Sequence, residues 1–493
     1  MENFRLNHDI LLSILALCDT SSAAALMRTC STVYKEGARY VLAGDVRVEG
    51  EDNLWSFLFF IVSEGMNRFR FLRRLSLSLG RIMDEELAFV LEGALKTMSH
   101  LNSLTIHKAE DLLLSRKRLR LVISRIPTLR HLELYNAQKL TCRLVKDLHV
   151  GLKSLRLGYG QLARPSGGVS PFLETVDEQQ VQQYHPVSLC KQVAPTLEEL
   201  FIARGMGGYP LPDDSVTYPH MRKLMLEDDL PNASAYIRKF PNLTYLSVTS
   251  NYGVNGSFAD YSEEYLLCRQ NNITEHLRGI TWKHLRTYQG QLLGLYLIAP
   301  LCPIERLIFK QTVDRSSLSL LRPVLDTAKP THLDITFLGN PLGPSPLEIP
   351  AVLREPVCAS LESLKISITL DRADRDGDIG VCTESLLSSL ASLPLSSLHL
   401  TIVTGGLVDP TRPTIESDPK DPEGVIVTYV PYPLVPVERS LDVFEPLTYA
   451  QKVADAVPTI QDVTIRVCGP REKHARGTRL RRGRDGAMET ARL

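Results

Sequence analysis

The chain has 493 residues, which at about 150 residues per domain suggests about three domains unless the sequence is built from repeats. Its 56 Lys and Arg balance 56 Asp and Glu, so the net charge gives no reason to expect a nucleic-acid partner. Hydrophobic residues make up 44% and charged residues 23%, which is typical of a globular protein and excludes disorder over the whole length. No apolar run approaches the roughly 20 residues of a membrane-spanning helix, so no membrane is expected.

The nine cysteines are odd in number, and none forms a Cys-x-x-Cys pair. This argues against a zinc ribbon, a thioredoxin-like motif and a dense disulfide framework. Reduced, mostly buried thiols are predicted instead, which favours a cytoplasmic or nuclear protein.

A secreted glycoprotein is an alternative that the N-terminus leaves open. Residues 10–18 are mostly apolar, and the three alanines at 23–25 are typical of a signal-peptide cleavage site. However, Glu2 and Asp9 outnumber Arg5 before this stretch, where a signal peptide is positively charged. Asn-x-Ser/Thr tripeptides, which also arise by chance, occur at Asn232, Asn242, Asn255 and Asn272.

Three short helices are predicted within the first 45 residues, over 7–17, 23–30 and 32–42. The first carries two apolar stripes that lie about 100° apart around the helix axis, namely Ile10, Ile14 and Leu17, and Leu11 and Leu15. A helix that is apolar on two sides needs two surfaces to pack against. So small a module has a marginal core, and we expect a partner or the following domain to cover the surplus apolar surface.

The residue pattern of this region resembles the F-box, in the version common among fungal F-box proteins. The resemblance is carried by Leu6-x-x-Asp9-Ile10-Leu11-x-x-Ile14-Leu15, Leu26-x-x-x-Cys30-x-x-x-Tyr34 and Thr29-Cys30-Ser31-x-x-Tyr34-x-x-Gly37-x-Arg39. F-box modules bind the Skp adaptor of Skp–cullin–F-box ubiquitin ligases. The resemblance implies adaptor contacts at Leu6, Ile10, Leu11, Ile14, Leu15 and Leu26. Asn7 stands where the family usually has a Pro that helps to set the helix start and the adaptor contact.

From residue 71 onward a hexad, apolar-x-x-Leu-x-apolar, recurs along the chain. Its copies centre on Leu75, Leu104, Leu132, Leu155, Leu200, Leu224, Leu246, Leu307, Leu364, Leu398 and Val463, with weaker copies at Leu285 and Leu333. Most centres are separated by distances close to the 20–29 residues typical of leucine-rich repeats. The pattern therefore predicts an α/β solenoid, a curved array with short parallel strands on its concave face. Helices, including 85–98 and 112–124, would cover its convex face.

Three regions follow from these patterns. We predict an F-box-like helical module over 1–45, a divergent leucine-rich-repeat solenoid over 46–468, and a basic disordered tail over 469–493. A proline-rich insertion at 404–440 is predicted to be an extended surface loop. The tail has eight basic and three acidic residues, so it carries +5 and the remaining chain −5.

No motif for chemistry is present. The sequence lacks a phosphate-binding Walker loop, a dinucleotide fingerprint, a zinc-protease motif and a nucleophile elbow, so we expect no enzyme, no cofactor and no metal. The aspartates from Asp371 to Asp378 resemble a calcium loop. Ile379 and Ser385 stand where such a loop needs Gly and Glu, which favours a solvated turn.

The concave face is the predicted target-binding surface. Basic residues on the early strands and apolar residues on later ones are expected to project from it. The candidate contacts are Arg130, Arg156, Phe201, Met225 and Tyr245. A mixed basic and aromatic surface suits an acidic or phosphorylated protein segment. The alternative is a solvated strand face without a ligand.

Together these patterns imply substrate recruitment for a Skp–cullin–F-box ubiquitin ligase. The N-terminal helices would bind the Skp adaptor and through it the cullin core, while the array holds an unidentified protein target. The alternative is a non-catalytic leucine-rich-repeat scaffold without a ligase role, whose N-terminal helices only cap the first repeat. Neither nucleic acid nor a membrane is expected as a partner.

Overall fold

The computed structural model describes residues 8–63, 67–160, 172, 183–204, 216–227, 233–249, 262–279, 281–343, 348–404, 407, 411–418, 421–431, 434–468, 475–483 and 487–492. They belong to two compact units, the first ending at Leu243 and the second beginning at Thr244. Each unit is α/β, with mostly parallel strands joined through helices, which confirms the α/β class of the predicted fold.

The first unit opens with three helices, α1 (His8–Leu17), α2 (Thr20–Met27) and α3 (Ser31–Ala43). The Asp19 carboxylate accepts a hydrogen bond from the Ser22 backbone N–H at 2.9 Å, which fixes the start of α2 and holds the pKa of Asp19 below its usual range. The helices enclose a small cluster of buried side chains, namely Leu15, Ala23, Met27, Val33 and Ala38. These elements begin within three residues of the predicted ones.

The sheet of the first unit consists of parallel strands that follow one another in chain order. They are β1 (Asp45–Glu49), β2 (Arg74–Ser78), β3 (Ser103–Ile106), β4 (His131–Ala137), β5 (Ser154–Tyr159), β6 (Glu199–Ala203) and β7 (Lys223–Glu227). The centres of the hexads lie opposite one another from Leu75 to Leu224, and all are buried. The hexads of this unit are therefore strands, as predicted. β1 has no hexad and was not predicted.

Helices alternate with these strands. They are α4 (Glu51–Val62), α5 (Glu85–Thr97), α6 (Ala109–Ser115), α7 (Arg118–Ile123), α8 (Lys139–Lys146), α9 (Pro186–Leu189) and α10 (Ala233–Lys239), with 3₁₀ turns at Asn67–Phe71 and Cys190–Val193. The prediction of one helix over 112–124 is wrong, because the backbone is extended at Arg116 (φ −153°, ψ 107°). This break lets the Arg116 guanidinium reach the buried carboxylate of Glu92.

The second unit repeats the arrangement. Its sheet contains β8 (Tyr245–Thr249), β9 (Thr287–Gly290), β10 (Arg306–Val313), β11 (His332–Leu338), β12 (Ser363–Thr369), β13 (Ser397–Val403), β16 (Asp462–Cys468), β17 (Arg476–Arg482) and β18 (Met488–Arg492). β8 to β13 and β16 are parallel neighbours, and β17 and β18 are antiparallel. Its helices are α11 (Ser262–Leu277), α12 (Leu292–Ile298), α13 (Leu321–Ala328), α14 (Ile349–Leu353), α15 (Ile379–Leu390), α16 (Pro436–Asp442) and α17 (Pro446–Ala456), with 3₁₀ turns at Leu318–Leu320, Pro356–Cys358 and Arg372–Asp374.

The weak hexad of β9 lies three residues from the predicted position. Tyr288, not Leu285, stands opposite Leu246 and Leu307, so Leu285 is the first apolar residue of the hexad. At the last position Gly290 replaces an apolar residue, since a Cβ there would overlap the Val248 carbonyl oxygen. The hexad centred on Leu333 has the predicted register.

The proline-rich insertion is not an extended loop throughout. Within 404–440, β14 (Thr411–Asp418) and β15 (Asp421–Pro431) pair as an antiparallel hairpin, and α16 begins at Pro436. The run Val425-Ile-Val-Thr-Tyr-Val430 has high strand propensity, and this outweighed the prolines that suggested a loop.

The basic segment 469–493 also contains regular structure where the sequence predicts disorder. β17 and β18 extend the second unit's sheet next to β16. Thr478 and Leu480 are buried and alternate with exposed Arg479 and Arg481, so the high charge concealed a strand with one apolar face. The Arg479 guanidinium pairs with Asp462 of β16.

Candidate functional site

The first candidate surface is an apolar stripe on α1. The exposed fractions are 50% for Ile10, 40% for Ile14 and 90% for Leu17, and the three lie on one face at i, i+4 and i+7. The other side of α1 packs into the helical module, where Leu15 is 1% exposed. This is the two-sided helix that the sequence predicts.

The predicted adaptor contacts are thus divided between surface and core. Ile10 and Ile14 lie on the exposed stripe, whereas Leu11 and Leu26 are half-buried and pack against the cluster around Leu15. Leu15 itself belongs to the core of the module, and its adaptor contact stays a prediction. Leu6 lies outside the described residues. Leu17, the most exposed of the stripe, was absent from the predicted contacts although its helical spacing indicated it.

Arg68 attaches the N-terminal helices to the rest of the first unit. Its guanidinium is buried and lies over the rings of Tyr34 in α3, at 4.5 Å, and of Phe60 in α4, at 4.4 Å. Its Nη1 donates to the Phe60 carbonyl and to Ser63 Oγ, each at 2.9 Å. The packing of α3 against α4 therefore includes a cation–π contact that has no signature in the sequence.

The second candidate surface is the outward face of β1 to β4, which bounds a cavity of about 930 Å³. Polar and charged side chains surround it, including Asp45, Arg47, Arg74, Ser76, His107, Lys108, Asp111, Glu133 and Asn136. His107 stacks on Tyr135 at 5.5 Å, and its Nε2 is 3.3 Å from Ser76 Oγ. Burial raises the pKa of Tyr135, so its phenol stays protonated. Sequence reasoning did not select Ser76, His107 or Tyr135, because only the register of the strands brings them together.

Three of the five predicted target contacts form a row across β5, β6 and β7. Arg156 is opposite Phe201, and Phe201 is opposite Met225. The Arg156 guanidinium lies 5.2 Å from the centre of the Phe201 ring. Arg130 does not join the row, since it precedes β4 and its Nη1 donates to the Gly151 carbonyl at 2.6 Å. Tyr245 lies half-buried on β8 of the second unit.

Three cations of this face form ion pairs with carboxylates of neighbouring strands and turns. Closest atoms are 2.5 Å apart for Arg74 and Asp45, 2.8 Å for Lys153 and Glu198, and 3.5 Å for Arg156 and Glu133. The basic residues that the sequence places on the early strands are therefore partly neutralised, because three of them form ion pairs. Arg47 and Lys108 line the cavity without a carboxylate in ion-pair distance among the described residues.

On the outward face of the second unit, His399 of β13 lies beside Lys365 of β12. Burial lowers the pKa of His399, and Lys365 and Arg466 lower it further, against Asp334 and Asp462, which raise it. Lys365 Nζ also pairs with Asp334 at 2.9 Å. His399 is thus favoured in its neutral form, able to donate or accept a hydrogen bond.

No group of three or more metal-ligating side chains comes together in the described part of the chain. Across the same residues, no helix has both the length and the hydropathy needed to cross a bilayer. All nine cysteines are free thiols, and burial raises the pKa of Cys142 to about 12.

The asparagines of the predicted glycosylation tripeptides differ in their exposure to solvent. Asn272 is buried, and its Nδ2 donates to the Leu297 carbonyl at 2.9 Å, so it is closed to a glycan in the folded state. Asn242 is half-buried, with its Nδ2 donating to the Pro219 carbonyl at 2.9 Å. Asn232 and Asn255 lie outside the described residues.

A scan against protein-family models and a search of curated proteins both found no match for this chain.

Proposed function

We propose that the chain is the substrate-recruiting F-box subunit of a Skp–cullin–F-box ubiquitin ligase, acting in the cytoplasm, the nucleus or both. The three N-terminal helices form the F-box-like cap that binds the Skp adaptor. The strand–helix array is a divergent leucine-rich-repeat solenoid that holds a protein target. The protein itself forms and breaks no bonds, and it promotes ubiquitin transfer by raising the effective concentration of the target.

The observation that carries this proposal is the exposed stripe of Ile10, Ile14 and Leu17. It lies on the same helix as the residue pattern that resembles the F-box. A contiguous apolar stripe on a solvent-facing helix indicates an interaction surface. Complete burial of each such side chain contributes roughly 1.5–3 kcal/mol. The module has its own core around Leu15, so the stripe is free for an adaptor.

The target surface that we propose is the cavity on β1 to β4 together with the row from Arg156 to Met225. The predicted acidic or phosphorylated target requires cations without an acidic partner, and on this face Arg47 and Lys108 have none among the residues that the structure describes. The carboxylates among the ion pairs would repel an evenly acidic segment. We therefore propose a target segment that carries only a small number of negatively charged groups, all placed next to Arg47 and Lys108.

The test is co-purification of the full chain with the Skp adaptor. We expect wild type to bind and the double variant Ile10→Asp/Ile14→Asp to lose at least tenfold in affinity, since it places two carboxylates in an apolar interface. Ala16→Asp is the matched control, because Ala16 is exposed on α1 but rotated by about 200° from Ile14. Wild-type protein that does not bind, or equal binding by all three proteins, contradicts the proposal.

The scaffold without a ligase role remains the second candidate, and the Arg68 contact is compatible with it. A buried guanidinium that joins α3 to α4 is what a purely structural cap on the first repeat would also need. Under this alternative, Ile10→Asp/Ile14→Asp leaves every interaction of the chain unchanged, while removal of residues 8–43 lowers the stability of the first unit.

A further inference from the structure

A second apolar site lies between two helices of the first unit, α5 and α7. It is a groove of about 440 Å³, within the range of roughly 300–1,000 Å³ that is typical of ligand pockets. Its floor consists of the buried side chains of Leu95, Met98, Val122 and Ile126. Leu121 lines the groove and is 39% exposed, so apolar surface remains open to solvent there.

The rim of the groove is basic. Lys96, Arg118 and Arg125 line it, and Glu92 is the one acidic residue among the described lining residues. The Glu92 carboxylate is already held by Lys96, whose Nζ is 2.6 Å away, and by Arg116. Arg118 and Arg125 are exposed and have no acidic partner among the described residues. An occupant therefore meets two uncompensated guanidinium groups beside an apolar floor.

The apolar surface extends past the Glu92 end of the groove. Phe89, one turn earlier on α5, is mostly exposed, and the Arg116 guanidinium lies 5.1 Å from its ring centre. Arg116 thus contacts both Phe89 and Glu92, so the aromatic ring adjoins the groove. This gives room for a second apolar side chain of the same occupant.

We propose that this groove binds an acidic peptide segment with a bulky apolar side chain that contacts Leu121 and the floor. Its carboxylates pair with Arg118 and Arg125, for which arginine is well suited because guanidinium groups bind carboxylates in a bidentate fashion. The site is distinct from the α1 stripe and from the outward face of the strands. It adds a second protein partner to the proposed function and does not depend on adaptor binding.

The test uses the full chain and two labelled synthetic peptides in fluorescence anisotropy. One is an amphipathic peptide with leucines at helical spacing and glutamates elsewhere, and the other has every glutamate replaced by lysine. We expect the acidic peptide to bind wild type at least tenfold tighter than the basic peptide. Arg118→Glu/Arg125→Glu should reverse this preference, and Leu121→Asp should weaken binding of the acidic peptide at least tenfold.

Arg372→Glu is the matched control, since Arg372 is an exposed arginine of the second unit, and it should behave as wild type. Undetectable binding of both peptides to wild type, or equal affinities for the two, overturns the proposal. So does sedimentation that shows a wild-type dimer and a Leu121→Asp monomer, because the groove would then hold a second copy. Circular dichroism establishes that each variant is folded. If Leu121→Asp unfolds, Arg118→Glu/Arg125→Glu still tests the proposal, because both arginines are exposed. Adaptor binding stays unchanged in these variants, which separates this proposal from the previous one.

Discussion

Asp374 is a buried carboxylate at which three segments of the second unit meet. Its Oδ1 accepts hydrogen bonds from the Asn340 backbone N–H and from Arg315 Nη2, both at 3.1 Å. Its Oδ2 accepts from the Asp371 backbone N–H at 2.9 Å. Asp371 and Asp378 in turn cap the 3₁₀ turn Arg372–Asp374 and α15. Three of the aspartates that resemble a calcium loop in the sequence thus accept hydrogen bonds from backbone N–H groups of this region. They are Asp371, Asp374 and Asp378.

Replacing Asp374 tests this role at a single residue. Asp374→Ala removes the acceptor of two backbone N–H groups and of Arg315, so we expect a loss of about 2–4 kcal/mol in the free energy of unfolding. Urea denaturation followed by circular dichroism measures it. Asp376→Ala is the control, since Asp376 is exposed, and it should change stability by less than about 0.5 kcal/mol. Similar values for the two variants would show that the Asp374 bonds contribute little.

At the scale of secondary-structure elements, a contact between two repeats supplies the N-terminal cap that α8 lacks. Gln138 precedes α8 without a side-chain cap. Glu110 of α6 supplies it instead, accepting from the Leu140 backbone N–H at 2.9 Å and the Thr141 backbone N–H at 3.0 Å. A carboxylate at a helix N-terminus is also favoured by the helix dipole. α8 therefore depends on the preceding repeat for its start.

Arg68 makes a comparable contact between elements, because it joins α3 of the N-terminal helices to α4. Arg68→Ala removes the cation between Tyr34 and Phe60, so we expect amide exchange in α3 to rise at least tenfold while β10 to β12 stay unchanged. Hydrogen–deuterium exchange with mass spectrometry measures both regions.

Arg70→Ala serves as the control, because Arg70 is exposed and stacks only on its neighbour Phe71 among the described rings. Unchanged protection of α3 in Arg68→Ala would mean that the apolar contacts of α3 suffice to hold it.

Sequence patterns predict the elements in which a pattern of side chains repeats. They do not predict features that depend on a single contact between residues far apart in the chain. The hexads predict the strands because one buried Leu row recurs, and the two stripes of α1 predict that this helix is apolar on two sides. The burial of Leu15 was not predicted, because periodicity does not say which stripe faces inward. The ion pair of Arg156 with Glu133 was missed because the two residues meet only through the register of β4 and β5.

At the scale of the whole molecule, one bond recurs wherever a Pro-Thr-Leu or Pro-Thr-Ile triplet precedes a strand. Thr128 Oγ1 donates to the Leu101 carbonyl at 2.7 Å, and Thr196 Oγ1 to the Leu152 carbonyl at 2.9 Å. In the second unit, Thr459 Oγ1 donates to the Leu395 carbonyl at 2.8 Å. Each bond joins a repeat to the one before it, and both units use it. A triplet directly before a strand is thus a sequence signal for stacking, which the hexad alone does not capture. The triplet Pro413–Ile415, by contrast, lies inside β14 of the hairpin.

If each bond links only neighbouring repeats, its loss should be local. Thr128→Val and Thr459→Val keep the side-chain shape but remove the hydroxyl donor, so each should cost about 1 kcal/mol. In a stacked array, energies are sums of nearest-neighbour terms, so the double variant should lose the sum of the single losses. Hydrogen exchange should rise in β3 and β4 for Thr128→Val, and in β13 and β16 for Thr459→Val. Thr→Ser at either position retains the donor and should leave exchange unchanged, whereas a rise in both units from either Val variant would contradict nearest-neighbour stacking.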